Sequence, residues 1–220
     1  MKISTNTLNV LKNFSKINPS IIVTEGNVIR SISPSKTIMA KAKVDTEFSQ
    51  RFAIYNLSRF ISTISLYKDP DLIFGEKSVE IREAGRSTNY VYADESTLSK
   101  AKAPEKELVL PSIDASFTLT NAHLKEVESA AGVLELPEIA VVGESGKIYL
   151  KAIDSKNPSG DVYSVEIGDC NKDFKAIFKY ENIKIIPDTY EVSISSRGIS
   201  HFSGPQAEYW IAVEQKNSSF

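Results

Sequence analysis

The strongest constraint on this chain is that it carries one pattern twice. Leu8 and Leu11 reappear as Leu124 and Val127. Ala53-Ile54-Tyr55 reappears as Ala176-Ile177-Phe178, and Tyr90-Val91-Tyr92-Ala93 as Tyr209-Trp210-Ile211-Ala212. The offsets are 116, 123 and 119 residues, a drift that changes in loop length account for. Self-similarity at a fixed spacing means one supersecondary unit used again. Between the copies, from about Asp94 to Pro111, runs a segment of small and charged residues with no apolar period, ending in the stub Leu108-Val109-Leu110. Such a composition predicts an extended linker on the surface. The expected division is a first domain over 1–108, with its connector at about 94–111, and a second over 112–220.

Each copy reads as an α+β unit, an antiparallel sheet with its helices gathered on one face. Ser4 or Thr5 can cap a helix reaching about Ile17. At about 100° per residue, Leu8, Val10, Leu11, Phe14 and Ile17 share one side, with Asn6, Asn9, Lys12, Asn13 and Lys16 opposite. A second helix, about Asn56 to Tyr67, has the stripe Leu57, Phe60, Ile61 and Ile64 and an outer face of Ser58, Arg59, Ser62, Thr63 and Ser65. Neither outer face holds a carboxylate, although the chain has 28 acids against 26 bases, so the bias is local. A third helix, capped by Thr120 or Asn121, runs to about Leu134 on Leu124, Val127, Ala131 and Leu134. There Glu126 and Glu128 flank Lys125. The second copy keeps only a single helical turn, about Lys179 to Ile183, where the second helix would recur. Alternating apolar runs fill the rest of both copies with strands.

An apolar fraction of 41% with 25% charged residues is ordinary for a globular protein, and no run approaches the length of a membrane span. The opening Met1-Lys2-Ile3-Ser4-Thr5-Asn6 lacks an apolar segment of the signal-peptide kind, so export is not expected. The single Cys170 rules out an internal disulfide and fits a reducing compartment. A net charge of −2 predicts no overall attraction to nucleic acid, so any such role must come from how the charges are distributed.

Taken in order, Met1-Lys2-Ile3-Ser4, Leu11-Lys12-Asn13-Phe14 and Ile17-Asn18 resemble the first helix of the sliding clamps of T-even-type bacteriophages. Ala53-Ile54-Tyr55-Asn56-Leu57 with Leu66, Ala84-Gly85-Arg86-Ser87-Thr88 and Pro187-Asp188-Thr189-Tyr190 continue the likeness over essentially the whole chain. The resemblance implies a non-catalytic processivity factor with the DNA-clamp fold and no cofactor. It implies a homotrimeric ring around duplex DNA, sheets outside and helices inside, in the cytoplasm of the infected bacterial host. An ATP-dependent clamp loader, the DNA polymerase and late-transcription factors are the implied partners.

On that reading Lys12, Lys16 and Arg59 are expected to face DNA first, followed by Lys2, Lys125, Lys179 and Lys184. A partner groove is expected at Met39, Leu108, Val109, Leu110, Trp210 and Ala212; for Val109 and Ala212 an ordinary core position is an equal alternative. Subunits are expected to join through edge strands carrying Asn89 and Val91 on one chain and Val162 and Val165 on the next. A β-rich virion component is the competing class, and an enzyme the third; trimer mass and retention on circular DNA discriminate.

Other signals carry little chemistry. Gly143-Glu144-Ser145-Gly146-Lys147 resembles the end of a phosphate loop but has Val141 and Ile148 where that motif needs Gly and Ser or Thr, so a hairpin turn is expected. His123 and His201 lie in different copies without ligand spacing, and Cys170 has no evident base.

Overall fold

A computed structural model describes residues 1–220, which divide into two compact units, Met1–Lys106 and Glu107–Phe220. The first unit contains α1 (Thr5–Ile17), β1 (Ile21–Val23), β2 (Gly26–Ile32), β3 (Ile38–Phe48), β4 (Phe52–Ile54), α2 (Leu57–Ile64), β5 (Asp71–Phe74), β6 (Ser78–Glu83) and β7 (Arg86–Val91). β1 pairs with β4 and β2 with β3, while β5-β6-β7 form a meander, all antiparallel. α1 lies on β2 and β3 and packs beside α2.

Ser4 caps α1 by accepting the Thr7 N–H at 3.0 Å. The helix buries Thr7, Val10, Leu11, Asn13, Phe14 and Ile17, whereas Leu8 is only half-buried. Asn13, expected on the outer face, is therefore inside. It lies three residues after Val10 and four before Ile17, so it shares their ridge. α2 is capped by Asn56, whose Oδ1 accepts the Arg59 N–H at 2.9 Å, and stops at Ile64 rather than Tyr67. Leu66 and Tyr67 instead bond back three residues, to Thr63 and Ile64, and the Tyr67 hydroxyl meets Thr88 Oγ1 at 2.7 Å. A tertiary contact thus draws the last turn off the helix axis. The β6–β7 turn uses Ala84 and Gly85 at φ of 46° and 79°.

The connector is more structured than its composition implies. Two 3-10 turns, Glu95–Thr97 and Ser99–Ala101, bury Leu98 and Ala101 against Ile22 and Ala53. Asn18 Nδ2 donates to the Lys100 carbonyl at 3.0 Å. An apolar pair three residues apart is too short to register as a period, yet suffices to dock one turn.

The second unit contains β8 (Ala115–Leu119), α3 (Asn121–Val133), β9 (Glu138–Glu144), β10 (Lys147–Ile153), β11 (Tyr163–Asp169), β12 (Phe174–Lys179), β13 (Tyr190–Ser195), β14 (Ile199–Ser203) and β15 (Glu208–Ala212). One antiparallel sheet runs β11-β10-β9-β12; in the other, β8 pairs with β13, β13 with β14 and β14 with β15. α3 packs on β9, β10 and β11. Like α1 it spans 13 residues, and its cap, Thr120, stands 116 residues after Ser4. The single turn after β12 is a 3-10 turn, Tyr180–Asn182.

Leu134, expected in the α3 stripe, is 39% exposed, and Leu136 is buried in its stead. Glu135 takes φ of 52°, and the Leu136 N–H bonds to the Ala131 carbonyl at 2.9 Å, which reverses the chain and turns Leu136 inward. Between α3 and the sheets, Phe117, Leu124, Val141, Leu150, Phe178 and Phe202 leave a void of only about 20 Å³. Ser145 and Gly146, both at positive φ, form the β9–β10 hairpin turn, so the phosphate-loop likeness is spurious.

Candidate functional site

Three surfaces concentrate the residues singled out by the sequence. The first is the outer layer of α1 and α2, where Lys12, Lys16 and Arg59 are exposed on two packed helices that contain no acid. Lys2 is exposed as well but is bound to the Asp69 carboxylate, which holds its ammonium above the ordinary lysine range. In the second unit Lys125 is exposed next to Glu126 on a helix that also carries Glu128, Lys179 lies 3.8 Å from Glu214, and Lys184 is half-buried. Of these seven basic side chains, only Lys12, Lys16 and Arg59 stand on helices free of acid.

The second surface is a strand edge. β7 is the outer strand of its sheet and pairs only with β6, where Asn89 faces Glu80 and Val91 faces Ser78. Beside it opens a cleft of about 350 Å³ lined by Tyr55, Asn56, Arg59, Tyr90, Val91 and Tyr92 among others. Tyr55 and Val91 are 70% and 67% exposed, a large apolar presence for a polar-rimmed edge. Tyr90 donates its hydroxyl to the Asn56 carbonyl at 3.2 Å; burial raises its phenol pKa and Arg59 pulls it back. The Tyr92 hydroxyl is buried without a hydrogen-bond partner, and burial pushes that phenol up to about 12. In the second unit β11 is likewise outermost, with Val165 half-buried opposite Leu150 and Val162 55% exposed just before the strand.

The third surface is the connector. Arg51, between β3 and β4, donates from Nε and Nη2 to Glu95 at 2.8 and 2.7 Å and reaches Glu105 at 3.4 Å. That fork depresses the Glu95 carboxyl below its ordinary range. Further along, Leu108 and Leu110 are half-buried while Val109 is 85% exposed, so Val109 is no core residue. Trp210 is buried; its Nε1–H donates to the Leu108 carbonyl at 3.1 Å, and its ring stacks on His201 at 4.7 Å. His201 also meets Glu208 at 3.0 Å, which accounts for it without a metal. Ala212 is half-buried on β15, and Met39 is buried on β3. Sequence reasoning missed Arg51, Glu95 and Leu98; only the Leu98–Ala101 spacing offered a signal.

Two family models match the chain in succession: "DNA polymerase processivity factor" over residues 3–97 and "gp45 sliding clamp, C terminal" over residues 116–215. The sliding clamp of Vibrio phage KVP40 is 34% identical over 221 residues, covering 97% of this chain and 99% of that protein. The chain belongs to the phage sliding-clamp family. The sliding clamp of Escherichia phage RB69 is 27% identical, with 97% of each protein covered. Among solved structures, the PCNA2–PCNA3 complex of Sulfolobus tokodaii matches with a TM-score of 0.71 at 14% identity, covering 98% of this clamp and 100% of that chain. A. fulgidus PCNA bound to the C-terminal region of FEN-1 matches at 0.69 and 13% identity, with 97% of each chain covered. At such identities the likeness is one of fold: this clamp has the α+β DNA-clamp fold. Sliding clamps are processivity factors of phage DNA replication and catalyse no reaction. No helix of this clamp is long and apolar enough to cross a membrane.

Proposed function

We propose that three copies of this chain close into a ring around duplex DNA and tether the phage DNA polymerase to its template, in the cytoplasm of the infected bacterium. The observation that carries this reading is the pairing, in the first unit, of two adjacent acid-free helices, the first of which exposes Lys12 and Lys16. A protein that must travel along DNA cannot grip base edges, which differ at every step. Phosphates recur identically, and lysines on an exposed helix face suit them. Lys125, Lys179, Lys184 and Lys2 supply a secondary contribution, since each stands beside a carboxylate or is partly buried. Contacts of this kind weaken as salt rises. Retention then comes from topology: a closed ring stays on a closed circle however weak its contacts.

In this reading the unpaired edges of β7 and β11, with Asn89 and Val91 meeting Val162 and Val165, join one copy to the next. Partners dock at the second half of the connector. Val109 stands out from a backbone pinned by Trp210, and one apolar anchor there is worth roughly 1.5–3 kcal/mol, which suits exchangeable docking. Leu108, Leu110, Trp210 and Ala212, all of the second unit, supply its support. The polymerase, an ATP-dependent loader and late-transcription factors are the partners assigned to it.

The test is mass and topology. In dilute solution, or with loader and template present, the chain is expected at three times its monomer mass. Once loaded it should stay on circular duplex and run off linear duplex. A chain that remains monomeric under all of these conditions, or leaves circles as fast as linear DNA, refutes the proposal.

A further inference from the structure

We infer that Arg59 belongs to the joint between copies, where it pairs with Glu126 of the neighbouring subunit, rather than to the DNA-facing surface. The inference rests on the ring reading and adds the charge pair that closes it. A strand added to the free edge of β7 brings with it whatever helix lies over that strand. Over the β7 edge lies α2: Tyr90 of β7 bonds to Asn56 and packs its ring on Phe60 at 5.1 Å. Over the β11 edge lies α3: the Tyr163 hydroxyl donates to the Glu126 carboxylate, which raises the pKa of that phenol. Joining β7 to β11 with both helices on the same face therefore sets α2 beside α3 of the next copy.

The charges at those two positions are complementary. Arg59 is exposed, lines the cleft at the β7 edge and is close enough to Tyr90 to act on its phenol. Glu126 is exposed on α3 and is held at the β11 edge by Tyr163. A carboxylate prepositioned by one hydroxyl needs no reordering to receive a guanidinium. This assignment also answers why a basic lining would carry an acid on α3: Glu126 serves the joint.

Charge reversal tests it in the full-length protein by sedimentation at graded concentration. Arg59→Glu and Glu126→Arg are each expected to weaken trimer formation on the order of tenfold or more per joint, and the double variant R59E/E126R to restore it to within about threefold. Circular dichroism spectra of the variants should match the wild type, since both positions are exposed. If wild-type chains form trimers but the single reversals leave them unchanged, or the double variant is no better than the singles, the Arg59–Glu126 joint is wrong while the ring stands. If the wild type forms no trimer, the ring reading itself fails and takes the joint with it.

Discussion

The connector's first half is held by two different interactions, and their magnitudes decide which of them matters. Leu98 is 5% exposed and packs on Ile22, Ala53 and Ala101. Leu98→Ala removes three buried carbons, about 2.4 kcal/mol at roughly 0.8 kcal/mol each. A cavity term would add to this, but the site lies near the surface among small side chains and can partly collapse, so about 2.5 kcal/mol is expected, the low end for buried leucine. The Arg51–Glu95 fork has short bonds, but its side chains are 45% and 32% exposed. Solvent screening limits such a pair to about 0.2–1 kcal/mol. The greasy contact should therefore dominate. Amide exchange reads this directly, because the Leu98 and Ala101 N–H groups bond to Glu95 and Leu98 carbonyls within the two turns. Leu98→Ala should speed their exchange on the order of fiftyfold, and Arg51→Ala by less than about fivefold. If Arg51→Ala speeds exchange as much as Leu98→Ala, the ion pair holds the connector and the reasoning fails.

The other expectations concern the DNA face, the docking stub and the acid limit. Lys12→Ala with Lys16→Ala should leave the oligomer mass unchanged and flatten the salt dependence of DNA binding, by about 0.9 in the log–log slope for each phosphate no longer neutralised. An unchanged slope would remove those two residues from the DNA face. Val109→Asp should shift stability by no more than about 0.5 kcal/mol, because the side chain is exposed, yet abolish calorimetric binding of the phage DNA polymerase; undiminished binding would place docking elsewhere. Asp114 accepts from the Ser112 hydroxyl at 2.6 Å and the Ser196 N–H at 2.8 Å, and these bonds lower its pKa from 3.8 to about 2. A depressed carboxyl stabilises the fold above its unfolded pKa and ceases to do so as pH falls through the folded one. Urea midpoints should accordingly drop more steeply for wild type than for Asp114→Asn between about pH 4 and 2, and parallel curves would contradict the assignment.

What could be read in advance was whatever depends on neighbours in sequence. Ser4, Asn56 and Thr120 cap their helices as hydroxyl and amide side chains ahead of an apolar stripe should. The Ser145-Gly146 turn follows from its flanking strands and missing motif residues. What could not be read depends on distant partners. Tyr67 leaves α2 because Thr88 captures its hydroxyl, and Leu136 displaces Leu134 because Glu135 adopts a left-handed turn. The connector looked extended since two apolar residues make no period, and their partners, Ile22 and Ala53, lie far back in the chain. Arg59 is the instructive case: its helix face is legible as acid-free, but its place at the β7 edge requires the fold.

That difference bears on how a ring can be mobile and closed at once. On the proposed reading, the charges that touch DNA must be weak and exchangeable, so they belong on exposed helix faces where water and salt screen them. The charges that close the ring must persist, and a second copy laid over the exposed Tyr55 and Val91 of the β7 cleft would exclude water there. Basic side chains thus serve two ends according to where they sit. Added salt should loosen the hold of Lys12 and Lys16 on phosphate before it opens the joint at Arg59, because burial shields the latter. A ring that opens at lower salt than the one that frees its DNA would reverse that order and show that closure rests on charge alone.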